Sequence, residues 1–250
     1  MSLLEVRKVS KSFGKLQAVS ELELSIDEGE VRCIIGANGA GKTTLFNLIS
    51  GRIRPDSGQV VFAGEEISGM RPPQIVRKGL SRSFQVSNYF PNLSVFQNVR
   101  IAVLSRMRKS RIFYWPVSRL GPVNQRVSEI LENFNLLPLA EVIADKLSHG
   151  DRRKLEISLV VAQEPRMLLL DEPTAGMNST ETESTIHLIK DLVTKLGLTL
   201  LLTEHDMKVV FSLADKITFM HYGQVVCEGP PQEIKANPDV KEIYLGGEVC

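Results

Sequence analysis

The sequence lacks a long apolar run. No stretch approaches the roughly 18 consecutive apolar residues that a helix needs to cross a bilayer. The amino-terminal stretch MSLLEVRKVSKSFG alternates charged and apolar residues, whereas a secretory signal has a continuous apolar centre. We therefore expect a protein that is not exported and that acts at a membrane only through a partner.

Cysteine is scarce, and neither sign of charge is in excess. Cys33, Cys227 and Cys250 lie far apart and show none of the paired spacings of a zinc site, so we expect reduced thiols in a cytosolic protein. The 30 basic and 29 acidic residues give a net charge of +1, which provides no basic field for nucleic acid. What is present is 43% hydrophobic residues in 250, enough for one large α/β domain or two small ones.

The order of strand and helix patterns predicts the fold class. Short strand-like segments near the amino terminus, separated by Gly, Asp and Ser, predict an antiparallel sheet. From Met167 onward, strand and helix patterns alternate, which is typical of a parallel sheet flanked by helices. Between Phe84 and Leu147 the strand signals fade, and we expect a helical insertion over about 86–162.

Two segments show the periodicity of amphipathic helices. Within the insertion, the apolar spacing predicts one buried helix face made of Val127, Ile130, Leu131 and Phe134. In the second half of the chain, the spacing predicts a buried stripe made of Ile186, Ile189, Val193 and Leu196. Each stripe gives its helix a face to pack on the sheet or on a neighbouring helix.

The segment GANGAGKT fits the phosphate-loop pattern G-x-x-x-x-G-K-[ST] at every fixed position. It lies between the apolar strand VRCII and a predicted helix, so its backbone N–H groups and the helix dipole converge on phosphate oxygens. We expect Lys42 to neutralise the β- and γ-phosphates, Thr43 to bind Mg²⁺ and Thr44 to reach the α-phosphate. A glycine-rich surface turn is the alternative. The predicted nucleotide contacts are Gly36, Ala37, Asn38, Gly39, Ala40, Gly41, Lys42, Thr43 and Thr44.

The segment MLLLDEP places two carboxylates after an apolar strand. Because side chains alternate along a strand, Asp171 and Glu172 are expected to face different ways and to take different tasks. We expect Asp171 to help hold Mg²⁺ and Glu172 to polarise the attacking water. A strand that ends in a solvated acidic turn before Pro173 is the alternative.

A further segment, LSHGDRRKLEI, narrows the family. It resembles the signature motif of the ABC ATPases, although His149 replaces a glycine and Asp151 replaces the usual glutamine. Ser148 and Gly150 are retained. The resemblance implies that these two residues, with a helix amino terminus, bind the γ-phosphate held by an opposite subunit.

Other segments match the same family in the expected order. Gln85 in SRSFQ resembles the glutamine that reaches Mg²⁺ and the attacking water, and His205 in LLTEHD resembles the switch histidine that contacts the γ-phosphate. The segment AGMN, 175–178, occupies the place of the D-loop. Phe13 matches the aromatic position that stacks on adenine, a core phenylalanine being the alternative.

The resemblance covers nearly the whole chain and points most closely to the ATPase subunits of branched-chain amino acid importers. It implies an α/β fold with a P-loop NTPase core, an amino-terminal antiparallel β subdomain and an inserted α-helical subdomain, forming one ABC ATPase domain over residues 1–250. The implied cofactors are ATP and Mg²⁺, with Glu172, His205, Gln85 and Lys42 as catalytic residues and Thr43, Gln85 and Asp171 at the metal.

The same resemblance implies partners and a location. The partners are integral membrane permease subunits and a second ABC ATPase subunit, identical or different, that binds head-to-tail. A solute-binding protein is an indirect partner, and nucleic acid is not expected. The chain would be cytoplasmic and peripheral on the inner face of the cell membrane. Alternatives are a urea or short-amide importer, a non-transport ABC ATPase and a phosphate-loop kinase.

Overall fold

A computed structural model describes residues 2–82, 89–106 and 121–243 of the chain. Its strands are β1 (Ser2–Phe13), β2 (Leu16–Asp27), β3 (Val31–Ile35), β4 (Ser57–Phe62), β5 (Glu65–Glu66), β6 (Leu80–Arg82), β7 (Met167–Asp171), β8 (Thr199–Thr203), β9 (Lys216–His221) and β10 (Gln224–Gly229). Its helices are α1 (Lys42–Ile49), α2 (Pro72–Lys78), α3 (Val95–Arg106), α4 (Gly121–Asn133), α5 (His149–Val161), α6 (Ser179–Leu196), α7 (Met207–Leu213), α8 (Pro231–Ala236) and α9 (Pro238–Ile243).

The amino-terminal strands form the predicted antiparallel sheet, in the order β2-β1-β4-β5. In β1, Leu4 and Val6 are buried while Arg7 is exposed, the period of two that a sheet with one covered face requires. Leu4 pairs with Phe62 across the sheet. The apolar face packs with helix α1 into one of two hydrophobic cores.

The second sheet has the order β10-β9-β3-β8-β7-β6 and is parallel except for the β9–β10 hairpin. Every residue of β3, β7 and β8 is buried, which explains why these strands read as continuous apolar runs. Strand β8 lies between β3 and β7. The carboxyl ends of these three strands therefore meet at one edge, where ligands of open α/β sheets bind.

Between β6 and β7, the described residues form helices α3, α4 and α5, two short 3₁₀ turns and one isolated bridge. β6 and β7 nevertheless pair directly, with Leu80 opposite Met167, so the helical segment leaves the sheet and returns to it. Val127, Ile130 and Leu131 are buried on α4, and Phe134 is buried just beyond its end. Two points remain predictions: the limits of the helical insertion, 86 and 162, and the assignment of residues 1–250 to one domain.

The stripe predicted on helix α6 is confirmed in part, because Ile189 is buried and Ile186 and Val193 pack against the core. The buried residues are Thr185, Leu188, Ile189 and Leu192. Ile186 and Val193 lie on the flank of this face, and Leu196 is 42% exposed. The apolar pattern missed Thr185 because it is polar, yet its hydroxyl is satisfied by Met177 Sδ at 3.3 Å.

No helix within the described ranges is both long enough and apolar enough to span a membrane.

Candidate active site

The phosphate-loop segment is held by close backbone contacts. Gly36 has φ of 156°, and a Cβ atom there would lie 2.3 Å from the Met220 carbonyl oxygen. Gly41 has φ of 100°, and a Cβ atom there would lie 2.5 Å from the Ala18 carbonyl oxygen. Both positions require glycine, because the loop is pressed against β2 and the end of β9.

Lys42 begins helix α1 and turns its ammonium group back into the loop. Its Nζ donates to the carbonyl oxygens of Gly36, at 2.5 Å, and Ala37, at 3.0 Å. Burial lowers the pKa of Lys42, while the negative charges of Glu172 and Asp171 oppose this shift. The loop and the two carboxylates therefore share one electrostatic site. Thr43 is exposed and Thr44 is half-buried at the start of the same helix.

Asp171 is buried at the end of β7, with its side chain 5% exposed. Its Oδ2 accepts from Arg82 at 2.8 Å, and its Oδ1 accepts from the Thr203 hydroxyl at 2.7 Å. Arg82 also donates to Asn47 Oδ1, on α1, at 2.8 Å. Asp171 is thus fixed to both the phosphate-loop helix and β8.

Arg82 was missed by the sequence analysis. Burial lowers the pKa of its guanidinium, and the hydrogen bond and charge of Asp171 act in the opposite direction. The sequence shows Arg82 in a strand segment just before Gln85, but it does not indicate which acidic residue pairs with this arginine. Gln85 itself lies outside the described residues.

Glu172 and His205 are in direct contact. His205 Nε2 lies 3.0 Å from Glu172 Oε1. Glu172 follows β7 with φ of 46°, and its N–H donates to the Thr203 carbonyl oxygen at 3.0 Å. Asp171 and Glu172 do face different ways, as expected, but the cause is this left-handed backbone and not strand alternation, because Glu172 is outside the strand.

Ser148 is the N-cap of helix α5. Its Oγ donates to Asp151 Oδ2 at 2.8 Å and accepts from the Asp151 N–H at 3.2 Å. Gly150 faces Glu181 at the start of α6, where a Cβ atom would lie 3.2 Å from Oε1. A Cβ atom at Gly176 would lie 3.9 Å from the His149 ring, so the signature segment and the AGMN segment are neighbours.

In the part of the chain that the structure describes, no hydrogen bond or ion pair joins Ser148 to Lys42 or Glu172. Phe13, at the end of β1, is 49% exposed and has Lys11 Nζ 5.8 Å from its ring centroid. It is therefore not a core residue.

A groove of about 180 Å³ lies between α2, β6 and α5. Its walls are mainly apolar and include Ile75, Leu80 and Leu159. Ser81 Oγ and Arg82 Nε are buried there and have no hydrogen-bond partner among the described residues. The groove thus offers an apolar surface together with two unsatisfied polar atoms.

The sequence pattern of the family described as ABC transporter matches residues 19–175. The chain belongs to this family. A second pattern, described as branched-chain amino acid ATP-binding cassette transporter, matches residues 224–249. The predicted family, the fold class and ATPase activity are confirmed: this is an ATP-binding ATPase subunit of an ABC transporter.

Curated relatives match this chain over nearly its full length. The high-affinity branched-chain amino acid transport ATP-binding protein BraF of Pseudomonas aeruginosa is 37% identical over 98% of both chains. The LivG protein of Escherichia coli, of the same description, is 36% identical over 98% of both. The lipopolysaccharide export system ATP-binding protein LptB of Haemophilus influenzae is 31% identical over 98% of both.

Solved structures agree with the fold. The ADP conformation of MJ1267, an ATP-binding cassette of an ABC transporter, superimposes with a TM-score of 0.86 at 28% identity, covering 98% of this chain and 99% of that one. A dimeric structure of the cassette MJ0796 bound to ADP and Pi has a TM-score of 0.75 at 25% identity, covering 91% of this chain and 98% of that one.

Proposed function

We propose that this chain hydrolyses MgATP to drive a membrane importer of branched-chain amino acids. The observation that carries the catalytic part is the contact between Glu172 and His205 at 3.0 Å, beside the loop that holds Lys42. The solute is supported by the pattern matched at residues 224–249 and by the likeness to BraF and LivG. The likeness to LptB supports the ATPase role but favours another cargo.

The nucleotide would lie along the loop 36–44. The backbone N–H groups and Lys42 would bind the phosphates, Thr44 would reach the α-phosphate, and Phe13 would stack on the base through its exposed ring. Glu172 would accept the proton of the attacking water, while His205 orients Glu172 and contacts the γ-phosphate.

The oxygen atoms of the site suit a magnesium ion whose remaining ligands come from the phosphates of the nucleotide. Within the described ranges, no cluster of three His, Cys, Asp or Glu side chains suits a metal. Asp171 accepts one hydrogen bond on each oxygen and retains a lone pair on each, and the Thr43 hydroxyl is exposed. Mg²⁺ prefers such oxygen ligands together with phosphates. Thr43, Asp171 and Gln85 would hold the ion, which would neutralise phosphate charge.

A second ATPase subunit, identical or different, would complete the site. The signature and AGMN segments are adjacent, with Ser148 exposed and Gly150 half-buried, which leaves both available to a nucleotide bound by another chain. In a head-to-tail pair, each ATP would be held by Lys42 of one chain and Ser148 of the other. Hydrolysis removes the shared γ-phosphate and would let the subunits separate.

The groove beside β6 is the proposed docking surface for an integral membrane permease subunit. Its apolar walls suit the apolar face of a helical segment. Docking would place the chain in the cytoplasm, on the inner face of the membrane, and would link it indirectly to a solute-binding protein. The balanced charge argues against a nucleic-acid partner.

The test combines purification with transport. The tagged chain, recovered from detergent-solubilised membranes, is expected to bring integral subunits with it, and reconstituted vesicles should take up radiolabelled leucine when ATP is present on the side of the ATPase. Recovery of DNA or ribosomes would contradict the transporter role. Uptake of lipopolysaccharide or urea in place of leucine would contradict the solute.

A further inference from the structure

Glu204 is a buried carboxylate to which the proposed hydrolysis gives no role. It lies between β8 and α7, directly before His205, and is 3% exposed. Within the part of the chain that the structure describes, its contacts are hydrogen bonds, and no lysine or arginine forms a salt bridge with it. Burying a carboxylate costs free energy unless hydrogen bonds satisfy its oxygens. The donors that satisfy Glu204 therefore indicate what this residue does.

Its hydrogen-bond donors come from two different segments. Thr174 donates its N–H and its hydroxyl to Oε1, at 2.9 Å and 2.7 Å. His205 donates its N–H to Oε2 at 3.2 Å. One carboxylate therefore ties the loop after β7 to the residue that follows β8.

Other side-chain contacts also join the ends of these two strands. The Thr203 hydroxyl donates to Asp171 at 2.7 Å, and His205 contacts Glu172 at 3.0 Å. Those two contacts include residues proposed to hold the metal and to polarise the water. The Glu204 contact includes neither, yet it fixes the backbone of His205.

Thr174 leads directly into the AGMN segment. Its carbonyl oxygen accepts from the Met177 N–H at 3.2 Å, and Gly176 faces the His149 ring. Thr174 and Glu204 therefore connect this segment to the backbone of His205 through hydrogen bonds.

We propose that Glu204 is a positioning residue that holds His205 and the AGMN segment as one unit. Contact of that segment with a second subunit then sets where the His205 imidazole lies relative to Glu172. The role rests on the proposed function for the subunit contact. Glu204 acts through His205 and touches no reactant.

The decisive variant is Glu204→Gln. Thr174 presents two donors, so the remaining amide oxygen stays on that side and the NH₂ group is left facing the His205 N–H. The misplaced histidine should lower the kcat of MgATP hydrolysis about ten- to a hundredfold. The affinity for a fluorescent ATP analogue should stay within about twofold, because the phosphate loop is a separate contact.

Thr174 and Glu30 provide matched variants. Thr174→Val removes only the hydroxyl donor and should give a smaller loss of kcat, whereas Thr174→Ser should retain the parental rate. Glu30 is also buried, and it accepts from Arg32 at 2.5 Å away from the site. Glu30→Gln should lower the melting temperature at least as much as Glu204→Gln while leaving kcat unchanged.

A double-mutant cycle that combines Glu204→Gln with His205→Ala distinguishes an effect on the position of His205 from an effect on the stability of the fold. The rate of single-turnover ATP hydrolysis is measured over hours in each variant. The cost of Glu204→Gln should largely disappear when His205 is absent. Additive costs, a parental rate in Glu204→Gln, or an equal loss of kcat in Glu30→Gln would overturn the role. If the unmodified chain hydrolyses no ATP in its purified complex, the proposed function fails, and the positioning role with it.

Discussion

Glu172 Oε1 and His205 Nε2 lie 3.0 Å apart, although the two residues follow different strands. The contact is possible because β7 and β8 are parallel neighbours and end at the same level, with Asp171 opposite Thr203. The left-handed backbone of Glu172 turns its carboxylate away from Asp171 and toward the imidazole. The carboxylate that we propose to activate water is therefore oriented by contacts within the protein itself.

Replacing Glu172 by Gln tests whether Glu172 is the general base of ATP hydrolysis. The variant should bind ATP as the parent does but lose hydrolysis by at least about a hundredfold, because an amide does not accept the proton of water. With ATP and Mg²⁺ it should accumulate as a dimer in sedimentation experiments. Glu183→Gln, at an exposed position on α6, is the control and should hydrolyse normally. A parental rate in Glu172→Gln would show that another group is the base.

Replacing Arg82 by Met tests the buried ion pair. The change leaves the Asp171 carboxylate buried without its 2.8 Å partner, and it should lower the free energy of unfolding by about 3–5 kcal/mol in urea titrations. The exposed pair of Arg166 and Glu28 provides the control, where Arg166→Met should cost less than about 1 kcal/mol. Equal costs at the two sites would mean that Asp171 does not depend on Arg82.

The lowered pKa of Lys42 predicts how stability changes with pH. Because the folded-state pKa lies below the ordinary value of 10.5, the charged ammonium makes the folded chain less stable at neutral pH. This cost disappears as the pH rises from the folded-state value toward 10.5. The free energy of unfolding of the nucleotide-free parent should therefore rise relative to Lys42→Met between neutral pH and about pH 10. A constant difference would contradict the shift.

Asp151 should weaken the subunit contact. Its carboxylate accepts a hydrogen bond from the Ser148 hydroxyl and adds negative charge where the γ-phosphate of a second chain is expected. In the Glu172→Gln background, Asp151→Gln should tighten the ATP-dependent dimer about fivefold, close to 1 kcal/mol. Lys154 pairs with Asp151 at 3.1 Å, so Lys154→Met should act in the opposite direction. Sedimentation at several protein concentrations measures both, and a change of the same sign in the two variants would exclude the electrostatic explanation.

The candidate catalytic residues could be proposed from the sequence because each belongs to a local pattern. Lys42 stands in a glycine loop, and Asp171 ends an apolar strand, so spacing along the chain is sufficient. Arg82 and Glu204 were missed because their roles depend on partners 89 and 30 residues away, and no local pattern encodes such a pairing. On α6, the apolar pattern did not identify the buried Thr185, because only the tertiary contact with Met177 satisfies its hydroxyl.

The backbone at Glu172 has a consequence for attempts to stabilise this protein. A non-glycine residue at φ of 46° carries conformational strain of about 1–2 kcal/mol. Asparagine tolerates this region better, so a Glu172→Asn chain would gain thermal resistance while losing its chemistry. Directed evolution for heat tolerance alone would therefore tend to select inactive molecules at this position.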